Sequence, residues 1–102
     1  MAILNEKKLK DHDLVILPVD GILDLHNFLP EDVPSLLDEY LRVCLDKGIR
    51  DVRIIHGKGK GIMLKTVRAL LAKNPMVLTY GPDNATGNWG VTLVTLKGVS
   101  KN

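Results

Sequence analysis

Apolar residues recur along this 102-residue chain with two different spacings, which predict helices and strands in alternation. Steps of three and four are typical of a helix with one buried face, whereas short runs of aliphatic and β-branched residues are typical of strands. Helical spacing occurs between Pro30 and Gly48 and again between Gly61 and Lys73. Runs that predict strands lie at 14–17, 22–26, 52–56, 76–80 and 89–97.

The order of these elements after residue 19 is β-α-β-α-β-β, which predicts an α/β fold. Right-handed crossovers make the first strands parallel, and the polar loop at 81–88 lets the last strand return antiparallel. We therefore expect a mixed four-stranded sheet covered by two helices. Residues 1–13 are polar and are interpreted as a loose arm, followed by a short extended segment or edge strand. The resulting division is an arm and extended segment at 1–19, a domain at 20–97 and a tail at 98–102.

Composition narrows the class of protein. The chain has one cysteine, Cys44, so an intrachain disulfide and a multi-cysteine zinc site are excluded. Cys44 lies on the inward face of the first predicted helix and is interpreted as a core residue. No apolar run is long enough for a signal peptide or a membrane span, so we expect a cytoplasmic protein with no membrane partner. Residues 1–51 carry six Lys and Arg against eleven Asp and Glu, whereas residues 52–102 carry eight against one. This asymmetry favours a polyanionic partner, with a solvated basic face as the alternative.

A glycine-rich stretch follows the strand predicted at 52–56 and leads into the second helix. Glycines let a backbone approach an oxyanion closely, and the first N–H groups of a helix point at an anion with the positive end of the helix dipole behind them. The spacing matches neither a Walker A loop nor a Rossmann fingerprint, and a plain flexible turn is the alternative interpretation. We interpret the stretch as an anion-binding turn, formed by His56, Gly57, Lys58, Gly59, Lys60 and Gly61.

Three residues near this turn are candidates for acid/base chemistry. Asp24 and His26 end the strand predicted at 22–26, and their spacing of two places both on one face of a strand. With His56, they fall at the carboxyl ends of parallel strands, where ligands bind in such sheets. The pair could instead cap backbone groups. A two-metal nuclease needs clustered carboxylates, which are missing here, so a single Mg²⁺ or Mn²⁺ held by Asp24 and a histidine is the one metal cofactor left open.

Further candidates extend the basic surface. No acidic residue interrupts 56–73, and Lys65 and Arg68 lie on the second predicted helix. Trp89, the only tryptophan, either anchors the last strand or stacks on an unpaired base.

Together these residues resemble the Smr domain, the small MutS-related domain, over residues 20–97. Two departures are Asn27, where many members have glycine, and Trp89 within the glycine-rich stretch before the last strand. The matching motifs are Leu23-Asp24-Leu25-His26, Ile54-Ile55-His56-Gly57-Lys58-Gly59, the basic helix after it, and Gly87–Gly90 followed by Val91-Thr92-Leu93-Val94-Thr95-Leu96.

The resemblance implies a two-layer fold in which the last strand lies antiparallel beside the second. Family members include endonucleases that nick DNA or cleave RNA, some of them in ribosome rescue, and others appear inactive. By position, Asp24 and His26 would be catalytic, and residues 56–59 would hold the phosphate.

Three functions remain open at this point. We expect a nuclease first, a non-catalytic nucleic-acid-binding module second, and a site for a small phosphorylated metabolite third. The expected partner is DNA or RNA, with ribosome association implied only by the resemblance. The sequence leaves the oligomeric state undetermined.

Overall fold

A computed structural model describes residues 2–4, 15–17, 19–57, 61–86 and 88–98, with the backbone alone at 2–4, 15–17, 88 and 89. These residues form two α-helices, and a 3₁₀ turn, Pro30–Asp32, precedes the first of them. The elements in chain order are β1 (Ala2–Leu4), β2 (Val15–Leu17), β3 (Ile22–Asp24), α1 (Val33–Asp46), β4 (Asp51–Ile55), α2 (Ile62–Lys73), β5 (Val77–Asp83) and β6 (Asn88–Leu96).

The main sheet has four strands in the order β3-β4-β6-β5. β3 and β4 are parallel, whereas β6 runs antiparallel to both β4 and β5. The predicted mixed sheet with two helices, and the predicted place of the last strand beside β4, are therefore confirmed. This topology ends β3 and β4 at one edge of the sheet, which we call the rim.

The N-terminal segment differs from the prediction. Ala2–Leu4 is a strand that pairs antiparallel with Val15–Leu17, so the prediction of a loose arm was wrong for these three residues. Pairing gives partners to backbone groups that would otherwise need water. The polar composition of residues 1–13 as a whole concealed this short apolar stretch.

Two strand boundaries also moved. β5 continues to Asp83 rather than ending at residue 80, and Pro82 is tolerated because β5 is an edge strand of the sheet. β3 ends at Asp24 rather than at residue 26. The Asp24 carboxylate accepts the backbone N–H of His26 at 3.0 Å, which turns the chain away from the strand direction.

Both helices contribute apolar side chains to a core on one face of the sheet. Leu23 of β3 and Ile54 of β4 lie in the core together with the fully buried side chains of α1. The Tyr40 hydroxyl connects α1 to the start of β3, since it accepts the Gly21 N–H and donates to the Ile22 carbonyl, each at 3.1 Å. Cys44 is buried as predicted, and this burial raises the pKa of its thiol to about 11.

Candidate functional site

The rim brings together the two loops that the sequence singled out. In the parallel β3–β4 pair, Asp24 lies opposite Ile55. The pairing continues one residue further, because the Leu25 N–H donates to the Ile55 carbonyl at 2.8 Å. His26 and His56 therefore follow neighbouring strands at the same edge, and strands in a sheet lie about 4.8 Å apart.

Asp24 and His26 form a direct pair at this edge. The Asp24 Oδ1 atom lies 2.6 Å from His26 Nδ1, and the two side chains are 48% and 59% exposed. Because a carboxylate only accepts, the Nδ1 proton belongs to the ring and the neutral imidazole keeps its free lone pair on Nε2. The side-chain hydrogen bond from His26, followed by its backbone N–H, lowers the pKa of Asp24. Asp24 is thus a carboxylate at neutral pH that orients an accessible base.

His56 has a different environment. Its side chain is buried, with 5% exposure for the residue, and both ring nitrogens contact protein atoms. Nδ1 lies 3.0 Å from the Gly57 carbonyl oxygen, and Nε2 lies 2.8 Å from the Thr92 hydroxyl. Both nitrogens of this ring are therefore occupied by contacts with protein oxygens.

The described ends of the anion-binding turn have the backbone shape that glycine permits. Gly57 and Gly61 have φ values of 81° and 83°, a region that other residues adopt at a cost. A Cβ added at either glycine would meet no atom of the described residues within 4 Å. The predicted phosphate ligands Lys58, Gly59 and Lys60 lie outside the described residues.

Strand β6 closes the other side of the turn. The backbone N–H groups of His56 and Gly57 both donate to the Gly90 carbonyl, at 2.9 and 3.0 Å. Of the remaining candidates, Lys65 is exposed on α2. Trp89 lies in β6, where the structure describes its backbone alone. Arg68 is half-buried, and its Nε is buried with no hydrogen-bond partner in the described part of the chain.

A second polar cluster was missed by the sequence analysis. The Arg53 guanidinium donates to the buried Asp83 carboxylate at 2.8 Å, and the Thr86 hydroxyl donates to it at 2.6 Å. These hydrogen bonds, from Thr86 first and then Arg53, lower the pKa of Asp83. They fasten the turn after β5 to β4. One signal was available, since Asp83 is the only acidic residue after position 51.

Thr92 was also missed. It is fully buried on β6 opposite Ile54, and its hydroxyl contacts the His56 ring. Among the residues that the structure describes, no group of three or more His, Cys, Asp or Glu side chains is placed to hold a metal ion. Neither of the helices described above is long and apolar enough to cross a bilayer.

A mixed four-stranded sheet with two helices on one face, carrying an Asp-Leu-His motif and a glycine-rich turn at one rim, defines the class. Residues 23–97 match the family model of the Smr domain, so the chain belongs to the Smr domain family.

Particular relatives agree with this assignment. The chain is 33% identical over 93 residues to a protein named Endonuclease MutS2 from Clostridium novyi, and 40% identical over 81 residues to one of that name from Halothermothrix orenii. These matches take in 90% and 78% of the chain but only 12% and 10% of the relatives.

Solved structures show the same fold. The Smr domain of Thermus thermophilus MutS2 has 25% sequence identity and a TM-score of 0.71, covering 76% of this chain and 99% of that one. YdaL, a stand-alone small MutS-related protein from Escherichia coli, has 26% identity and a TM-score of 0.67, covering 76% of this chain and 64% of that one.

Proposed function

We propose that this Smr domain binds nucleic acid at the rim and acts as an endonuclease on the phosphodiester backbone. The observation that carries the proposal is the contact between Asp24 and His26, because it presents an oriented, solvent-accessible base beside a glycine-rich turn. The MutS2 relatives are named endonucleases, and the chain aligns with a small part of each of them. That name supports the same reaction class here.

In this mechanism His26 removes a proton from the attacking hydroxyl. Its Nε2 lone pair accepts the proton from water or from a ribose 2′-hydroxyl, and the Asp24 carboxylate stabilises the imidazolium that results. Either nucleophile then attacks phosphorus, and the sugar oxygen leaves with a proton supplied by solvent or an acid. A positioned base of this kind contributes about 10²- to 10⁴-fold in rate.

The anion-binding turn holds the scissile phosphate in this proposal. Gly57, Lys58, Gly59, Lys60 and Gly61 would surround the phosphate oxygens, and the N-terminus of α2 would add its dipole. Negative charge that develops on the phosphate oxygens during attack would be stabilised by fixed N–H groups and by lysine. Lys65 and Arg68 of α2 and Trp89 of β6 extend the nucleic-acid surface in the same proposal, with Lys65 the most accessible of the described side chains among them.

A non-catalytic nucleic-acid-binding module is the second candidate. It is favoured by the net charge of +7 on residues 52–102, which would attract a polyanion whether or not a bond is cleaved. Both candidates use the same turn and helix. They differ only in whether Asp24 and His26 perform chemistry.

The deciding experiment compares cleavage with binding in one variant. Asp24→Asn combined with His26→Ala should abolish cleavage of end-labelled single-stranded RNA or DNA while changing the dissociation constant less than about threefold, because neither side chain is a phosphate ligand in this proposal. Asp46→Asn, at another exposed carboxylate at the end of α1, is the control and should cleave as the wild type does.

The same assay identifies the nucleic acid that is cleaved and shows whether cleavage needs a divalent metal. Matched DNA and RNA oligonucleotides, with and without a chelator, distinguish water from the 2′-hydroxyl as nucleophile and test the divalent metal that the sequence left open. If the double variant cleaves at the wild-type rate in a preparation free of contaminating nuclease, the assignment of Asp24 and His26 is wrong. Binding without cleavage by the wild type would favour the second candidate.

A further inference from the structure

One buried polar pair takes no part in the proposed chemistry. Thr92 is 0% exposed and His56 is 5% exposed, and a 2.8 Å hydrogen bond joins the Thr92 hydroxyl to His56 Nε2. Thr92 faces the core beside Ile54, in a row of β6 that also contains the buried Val94. Valine has the same shape as threonine and would suit such a position. A hydroxyl is costly there unless it has a partner, and His56 is that partner.

The direction of each hydrogen bond follows from the acceptors. The Gly57 carbonyl only accepts, so in the neutral ring Nδ1 carries the proton and donates to it at 3.0 Å. Nε2 then has only a lone pair, and the Thr92 hydroxyl donates its proton to it. The Thr92 hydroxyl thus supplies the donor that this tautomer of His56 needs at Nε2, and it holds the ring that binds the Gly57 carbonyl.

This carbonyl matters because of where it points. Its oxygen carries partial negative charge and would repel a phosphate if it faced the rim. Held by the ring of its buried neighbour, it faces protein instead. On the amide side, the N–H groups of His56 and Gly57 both donate to the Gly90 carbonyl, so the Gly57 backbone, with its φ of 81°, is held from both ends.

We propose that Thr92 is a positioning residue for the anion-binding turn and that it acts through His56. On this view His56 serves the phosphate site by shaping the Gly57 backbone, and it transfers no proton to the substrate. The inference rests on the proposed function only in naming a phosphate as the ligand. The hydrogen-bond chain from Thr92 to Gly57 is independent of whether cleavage occurs.

The first test removes the hydroxyl and keeps the shape. Thr92→Val should weaken binding of a single-stranded oligonucleotide about tenfold or more, because the His56 ring that holds the Gly57 carbonyl loses its second hydrogen bond. Thr92→Ser should restore binding to within about twofold, since it restores the hydroxyl. Thr95→Val makes the same chemical change on the opposite face of β6, where Thr95 is half-buried, and should bind as the wild type does.

A second measurement needs no nucleic acid. Long-range ¹H–¹⁵N spectra of the histidine rings report which nitrogen is protonated, and we expect His56 to be the Nδ1–H tautomer in the wild type. Thr92→Val removes the donor to Nε2, so the His56 Nε2 resonance and the Gly57 amide resonance should both shift, whereas Thr95→Val should leave both unchanged. A merely structural role of Thr92 would lower stability without shifting the Gly57 amide resonance.

The outcomes separate this inference from the proposed function. An Nε2–H tautomer in the wild type overturns the inference by itself, even if Thr92→Val does not fold. Equal oligonucleotide binding by the wild type and Thr92→Val also overturns it. Failure of the wild type to bind any oligonucleotide overturns the proposed function, and the ring spectra still test the hydrogen-bond chain.

Discussion

The two histidines at the rim differ in the surroundings of their ring nitrogens. The His26 side chain is 59% exposed, and none of the residues that the structure describes hydrogen-bonds its Nε2, whereas His56 is buried with both nitrogens within 3.0 Å of protein oxygens. A general base must reach its substrate, and only His26 has an accessible nitrogen for that purpose. The chemical roles of two identical side chains are thus distinguished by solvent access.

A substitution at Gly57 measures how much its positive φ contributes to the free energy of unfolding. Gly57→Ala should lower the free energy of unfolding by about 1–2 kcal/mol, because its φ of 81° is unfavourable for a residue with a Cβ, although the added methyl would meet no neighbour. Urea denaturation measures this change.

Gly81 provides the matched control. It too has no atom within 4 Å of an added Cβ, but its φ is not positive. Gly81→Ala should therefore be neutral or stabilising by up to about 1 kcal/mol, through the entropy of the unfolded chain. Equal losses at the two glycines would show that the positive φ of Gly57 is not the cause.

At the level of elements, the Tyr40 hydroxyl adds hydrogen bonds to the apolar packing between α1 and β3. Tyr40 bonds the N–H of Gly21 and the carbonyl of Ile22, and this connection sets the start of the strand that carries Asp24. Tyr40→Phe leaves both backbone groups without this partner. We expect a loss of about 1–3 kcal/mol in the free energy of unfolding at pH 8.

The same substitution should change the alkaline limit of stability. Burial raises the pKa of Tyr40 to about 12, above its ordinary value of 10.0, so the unfolded chain loses this proton before the folded protein does. The stabilisation is complete below pH 10 and disappears as the pH rises through about 12. The wild type should therefore lose stability between pH 10 and 12 more steeply than Tyr40→Phe in urea titrations at each pH. Tyr80→Phe, at a side chain that is 40% exposed, should follow the wild type, and parallel curves for wild type and Tyr40→Phe would contradict the argument.

Two connections hold the loop after β5 in a similar way. The Asp83 carboxylate fastens the start of this loop to Arg53 of β4, and the Gly90 carbonyl of β6 accepts the N–H groups of His56 and Gly57. These contacts join β4 and the residues directly after it to the β5–β6 segment. The rim is therefore shaped by elements far apart along the chain.

For the whole molecule, the division of charge is the main long-range feature. Residues 52–102 carry a net charge of +7 and contain β4, α2, β5 and β6 except for the first residue of β4, whereas residues 1–51 carry −5. Binding of a single strand should weaken with salt, with a log–log slope of about −0.7 for each phosphate contact.

Lys65 on α2 should contribute one of these contacts. Lys65→Gln should make the slope less steep by about 0.7, measured by fluorescence anisotropy of a labelled oligonucleotide between low and moderate salt. Lys73→Gln, at the opposite end of the same helix and also exposed, is the control and should keep the wild-type slope. An identical change in both variants would indicate a diffuse charge effect in place of a defined contact.

The sequence by itself determined the two helices, the order of elements along the chain and the position of the two motifs, whereas the place of the last strand in the sheet was implied only by the family resemblance. Burial of one face of α1 imposes a regular spacing of apolar residues that is visible in the sequence. The right-handed crossover geometry of parallel strands then places Asp24 and His56 at one rim. Gly57 and Gly61 were identifiable because few other residues adopt such backbone angles. These features depend on local spacing and on general rules of chain geometry.

Only the tertiary structure decided what each polar side chain contacts. His56 bonds Thr92, which is 36 positions away, and Asp83 bonds Arg53, which is 30 positions away. The strand pairing of β1 with β2 and the turn at His26 likewise arise from specific hydrogen-bond partners. Because such partners are chosen by distance and direction in space, and burial removes the water that would otherwise compete, no periodicity in the sequence could have distinguished the exposed histidine from the buried one.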